Sequence, residues 1–111
     1  MTYKQVANMV RSMGLPFAYR QFTEQTAVAP PFICYFYSNT DDLMADDENY
    51  VGIPQLNIEL YTAEKDFDQE AAVEEILKEN GFTYYKEEAY IDSEKMYQIA
   101  YEMEVVINEQ G

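Results

Sequence analysis

Residues 55–77 read QLNIELYTAEKDFDQEAAVEEIL, and the fold is decided here. The first part alternates, with Leu56, Ile58 and Leu60 on one side and Gln55, Asn57 and Glu59 on the other. Successive side chains of a strand point to opposite faces, so the pattern predicts a strand with one buried face. The period then changes. Ala72, Val73, Ile76 and Leu77 recur at three- and four-residue spacing, which lines them along one stripe of a helix. Asp66 is placed to cap that helix, with Gln69 three residues on to reach back. Asp68 and Glu70 complement the positive end of the helix dipole. Asn80-Gly81 supplies the stop, because glycine takes the left-handed conformation beyond a helix without steric penalty.

The flanks extend this strand–helix unit in both directions. Tyr3, Val6, Ala7, Val10 and Met13 share a helical stripe, with Thr2 as N-cap and Gly14-Leu15-Pro16 as the stop. Residues 17–22 alternate and read as a short strand. Pro30-Pro31 forces an extended entry into FICYFY, residues 32–37, whose β-branched and aromatic content predicts an inner strand covered on both sides. Residues 39–50, NTDDLMADDENY, read as a surface loop. Residues 82–91 resume an extended pattern, Asp92-Ser93-Glu94 is a turn, and residues 95–108 put Tyr97, Ile99, Tyr101, Met103, Val105 and Ile107 on one face. The short turn makes the last two strands an antiparallel hairpin. The expected architecture is α+β: a mostly antiparallel sheet of four to five strands with two helices packed on it, in the order α-β-β-β-α-β-β.

Length and composition set further bounds. The 111 residues, 48% of them hydrophobic, suit one domain, residues 1–111, with a core of its own. No terminal segment has the pattern of a signal peptide, and the apolar run at residues 27–37 is too short for a membrane helix. One cysteine, Cys34, permits no internal disulfide and suits a reducing compartment, so a cytoplasmic location is expected. The net charge is −14, unevenly spread. Residues 1–40 carry Lys4, Arg11 and Arg20 against Glu24, whereas residues 41–111 carry four lysines against twenty acids. An acidic surface of this kind repels nucleic acid and anionic membranes. The asymmetry fits either a solvated acidic face or head-to-tail association, less acidic end against acidic end.

The chemistry is sparse. With no histidine, Ser-His-Asp and Cys-His catalysis and histidine metal sites are excluded. The four glycines, at 14, 52, 81 and 111, form no phosphate loop. Carboxylate pairs are too plentiful to be informative; Glu74, Glu75 and Glu79, and Glu102 and Glu104, read as solvated. Cys34 reads as a small buried hydrophobe. The acids Asp41, Asp42, Asp46, Asp47 and Glu48 lack the ligand spacing and central glycine of a calcium loop. No enzyme activity, cofactor, metal or small-molecule substrate is expected. What stands out is tyrosine, eleven in all, with Tyr35, Tyr37, Tyr84, Tyr85, Tyr90, Tyr97 and Tyr101 at strand positions of both parities. Tyrosine offers a large, rigid contact with a polar tip and is enriched at protein interfaces. The candidate partner contacts are therefore Tyr84, Tyr85, Tyr90, Tyr97 and Tyr101 of the hairpin, with Asp41, Asp42, Asp46, Asp47 and Glu48 of the acidic loop.

The run PPFICYFY at 30–37, the acidic loop ending at Tyr50, the unit LNIELYTAEKDFDQEAAVEEIL at 56–77 and GFTYYKEEAYIDSEKMYQIAYEMEV at 81–105 carry a resemblance. Together they resemble the tail terminator, or tail-to-head joining, proteins of long-tailed phages and prophages of Gram-positive bacteria. The resemblance covers most of residues 30–106 and implies a structural virion protein. Such a protein forms a ring, commonly of six subunits, that caps the tail tube and contacts tail-tube and head-connector proteins. It implies assembly in the cytoplasm and then a place at the head-proximal end of the tail. No site residues transfer, because the resemblance has no invariant motif. A second reading from charge alone is an acidic DNA mimic that occupies a basic host nucleic-acid-binding protein.

Overall fold

The computed structural model describes residues 1–38 and 53–108. The chain opens with helix α1 (Tyr3–Arg11). The Thr2 hydroxyl accepts the Gln5 N–H at 3.1 Å and the Gln5 side chain accepts the Thr2 N–H at 2.8 Å, a complete capping box. Strands β1 (Phe17–Tyr19), β2 (Phe32–Ser38) and β3 (Gln55–Thr62) follow, then helix α2 (Phe67–Glu79) and the hairpin β4 (Tyr85–Ile91) and β5 (Met96–Glu104). The Pro30-Pro31 bond before β2 is cis. The strands form one mixed sheet in the order β1-β2-β3-β5-β4. β1 runs parallel to β2, and every other neighbouring pair is antiparallel. The predicted α+β class and element order are those of the molecule.

The register assigns each side chain to a face. Ile33, Tyr35 and Tyr37 of β2 lie opposite Leu60, Ile58 and Leu56 of β3, which lie opposite Ile99, Tyr101 and Met103 of β5. This face is the core. Val6, Met9 and Val10 of α1 and Val73 and Leu77 of α2 pack on it in one continuous cluster. Val105 and Ile107 extend the cluster beyond β5, where the Val105 N–H bonds the Pro54 carbonyl and the Asn108 N–H bonds the Met1 carbonyl. The central strand therefore buries Leu56, Ile58 and Leu60 completely, as its alternation predicts.

The helix ends follow the predicted chemistry with one exception. The Asp66 carboxylate accepts the Gln69 N–H at 3.0 Å, but among the described residues the Gln69 side chain makes no return bond. At the other end the Gly81 N–H bonds the Lys78 carbonyl and the Phe82 N–H bonds the Leu77 carbonyl, a Schellman closure with Gly81 at φ +80°.

In four places the structure departs from expectation, each for a local reason. The strand predicted over 17–22 ends at Tyr19, because Arg20 adopts φ +70° and the Gln21 N–H turns back to the Tyr19 carbonyl. β2 is not covered on both sides: only Cys34 is buried on the helix-free face, while Phe32 and Phe36 are half-exposed there. The strand expected from residue 82 begins at Tyr85, since the helix closure holds Phe82 back against the core. The buried stripe of α2 is Glu70, Val73 and Leu77; Ala72 is exposed, Ile76 is half-buried, and Glu74 is half-buried rather than solvated.

Ile58 sits at zero exposure where all three inner strands meet, so Ile58→Ala leaves a cavity the rigid sheet cannot close. Urea unfolding should show a loss of about 3 kcal/mol. Val106→Ala, at an exposed position beyond the end of β5, should stay within about 0.5 kcal/mol of wild type.

Candidate functional site

The hairpin tyrosines divide between core and surface. Tyr101 is fully buried and is not a partner contact: strand parity points it under α2, where its hydroxyl donates to Glu74 Oε2 at 2.7 Å. Tyr84 is half-buried, edge-on to Tyr101 with ring centroids 5.2 Å apart. Tyr90 and Tyr97 pair edge-on at 4.9 Å on the helix side of the sheet, where Tyr97 is half-buried and Tyr90 exposed. Tyr85 is the most open at 81% exposure, on the helix-free face opposite Glu102. Asp41, Asp42, Asp46, Asp47 and Glu48 lie outside the described residues.

Beneath α2 lies a charged cluster that alternation alone does not show. Glu70, only 2% exposed, receives Lys65 Nζ on Oε2 at 2.6 Å. Its other oxygen has Lys86 Nζ 3.0 Å away, outside hydrogen-bond alignment. Lys86 also holds Glu74 Oε2 at 2.6 Å, and Lys65 holds Glu88 and lies over the Phe67 ring. Two lysines thus clamp α2 to the edge strand β4. A buried carboxylate without its partners carries a large desolvation penalty, so these lysines are structurally committed. Burial pushes the Glu74 carboxyl up, but the Lys86 and Tyr101 bonds outweigh it and the net displacement is downward. Lys86 is raised, first by its bond to Glu74. The Tyr101 phenol is raised, first by burial and then by Glu74.

A second tyrosine group, which the sequence reading does not bring together, lies at the opposite end of the sheet. Tyr3 of α1, Tyr19 of β1 and Tyr35 and Tyr37 of β2 line a shallow depression of about 510 Å³. Tyr19 stands edge-on to Tyr35 at 5.2 Å, and Tyr3 edge-on to Tyr37 at 5.1 Å. Burial raises the Tyr35 phenol, Tyr19 adds to the effect, and the Arg11 guanidinium opposes it. Tyr35 and Tyr37 share parity with Ile33, which hints at a common face. The parallel pairing that brings Tyr19 beside them has no local signal in the sequence.

No protein-family model matches the chain, and no curated protein matches it. Among the described residues, no helix is long and apolar enough to cross a membrane. No three His, Cys, Asp or Glu among them are placed to hold a metal ion. Cys34 is buried, and burial, reinforced by Glu59 and opposed by a Phe22 backbone bond, pushes its thiol up to about 11. The thiol is therefore protonated at neutral pH and a poor nucleophile. The arrangement presents two aromatic edges on one sheet, the first near arginines and the second among glutamates.

The Tyr101 hydroxyl bonds a carboxylate whose folded pKa is depressed, so the stability it confers is full above the ordinary carboxyl value, about 4.3, and is lost as pH falls through the lower folded value. Tyr101→Phe should cost about 1.5 kcal/mol at pH 7, with the gap to wild type closing as the pH falls through that window. A gap that stays constant in urea titrations across this range would show that the bond does not involve the charged carboxylate.

Proposed function

We propose that this is a structural protein of a phage or prophage tail, one that caps the tail tube or joins it to the head through protein–protein contacts, as a ring of identical subunits. The reading rests on the resemblance over residues 30–106, and one observation of the molecule supports it most. The strand order puts β1 and β4 at opposite ends of the sheet, so the charge division along the chain becomes a division in space. The end built from residues 1–38 holds Lys4, Arg11 and Arg20 and the tyrosine-lined depression. The other end is a solvent-exposed strand with Tyr85, Glu87, Glu88 and Tyr90. A ring is a heterologous assembly and needs two different surfaces on each subunit. Subunits this acidic repel one another, so salt or the tail tube itself must screen the charge for the ring to close.

The DNA-mimic reading draws on one feature. The helix-free face of β3, β5 and β4 displays Glu59, Glu102, Glu104 and Glu87 with no helix over them. Its carboxylates would have to displace nucleic acid from a basic protein.

Phages lacking the gene should yield tails of excess length or tails detached from heads in electron micrographs. Normal infectious particles would sink the structural reading, and purified protein that releases DNA from a host nucleic-acid-binding protein would favour the mimic.

A further inference from the structure

The proposed ring, on which this step rests, needs a specific contact between copies, and the two edge strands of the sheet differ in a way that specifies one. We infer that the β1 edge of one subunit docks against the β4 edge of a second copy of this chain, with Tyr19 opposite Tyr90 on the helix side and the Arg20 side chain reaching Glu87, its diagonal neighbour, on the helix-free side.

Three observations carry it. The first is unspent charge. Arg20 lies over the Phe36 ring at 4.8 Å on the helix-free face, and Arg11 lies over Phe17 at 5.6 Å on the helix face. Among the described residues neither arginine forms an ion pair, although the chain holds twenty-one acids. At the far edge Glu87 is likewise without an ion pair among the described residues, whereas Glu88 is held by Lys65. On the helix-free face the two edges thus carry opposite charges, each without an ion pair among the described residues. The second is strand direction. β1 runs with β2, β2 and β5 both run against β3, and β4 runs against β5. β1 and β4 are therefore opposed within one subunit. A second copy whose sheet continues the first presents β4 antiparallel to β1, the pairing with the more favourable hydrogen-bond geometry. The third is the aromatic match. Tyr19 on β1 and Tyr90 on β4 both lie on the helix side and are half-open, at 50% and 49% exposure. An aromatic cross-strand pair would cover both. The contact is heterologous, the class of contact from which a ring of identical subunits is built.

A charge exchange tests this on the full chain by sedimentation velocity over a range of protein and salt concentrations. Wild type should self-associate. Arg20→Glu and Glu87→Lys, each folded by circular dichroism, should each weaken association about tenfold or more. The two variants mixed in equal amounts should recover it, because each then meets an edge of opposite charge. Tyr19→Ala, a change that leaves the charges alone, should also weaken it. Wild-type association unchanged by the substitutions, or no recovery on mixing, would overturn the edge contact while leaving a ring built on other surfaces. A wild type that stays monomeric throughout also overturns it. The tail reading fails separately, on normal particles from phages without the gene.

Discussion

The molecule depends on the register of β3. It is the central strand of the five, between β2 and β5, and every side chain of those strands takes its face from pairing with it. Leu56, Ile58 and Leu60 must point to the helices, so Tyr35, Tyr37, Tyr101 and Met103 do too, while Glu59, Glu102 and Glu104 must point away. A slip of one residue would bury the glutamates and expose the leucines, a loss far larger than any turn or cap could offset. The faces of the outer strands follow in turn. Tyr19 joins Tyr35 because β1 pairs with β2, and Lys86 and Glu88 face α2 because β4 pairs with β5.

That last consequence explains the charged cluster. The parity of β4 delivers Lys86 and Glu88 to the side occupied by α2, and the helical period delivers Glu70 and Glu74 to meet them. A hydrophobic seam of the same volume would be at least as stable. What the ions add is definition: Glu70 has two ammonium partners in fixed places, so α2 has one seating on the hairpin. The cluster also engages two of the four lysines in the acidic part of the chain. The surface left behind is more one-sided in charge than composition suggests, and the burden of neutralising it passes to whatever binds there.

Local patterns carried most of the fold in legible form, and non-local pairing carried most of what was not. The alternation of residues 55–60, the Thr2 and Asp66 caps and the Gly81 stop are short-range signals, and each element they mark is present. Tyr101 could be assigned to the buried face by parity with Ile99 and Met103, yet its residue type pointed to an interface; burial decided, since its hydroxyl has Glu74 as a partner inside. Glu70 stands in the first turn of α2, where the helix dipole favours an acid, but nothing nearby in sequence announces its burial or that Lys86 will arrive from sixteen residues downstream. The cluster of Tyr3, Tyr19, Tyr35 and Tyr37 joins α1, β1 and β2 through a parallel pairing across an irregular connection, which no periodicity encodes.

Edge strands are hazards in a soluble protein, and these two are guarded differently. β1 is only three residues long and is cut short where Arg20 turns left-handed; β4 spans seven residues, with Lys86, Glu87 and Glu88 at its middle. Shortness and charge are the ordinary defences against indiscriminate strand addition. On the helix-free face Glu87 discourages β4 from pairing with another β4, and Arg20 does the same for β1. The defence has one gap, because an edge guarded by glutamate is open to an edge guarded by arginine. Guarding both edges against themselves with opposite charges leaves the head-to-tail pairing as the one that charge favours, so the device that keeps the free subunit soluble also selects the geometry in which it can assemble.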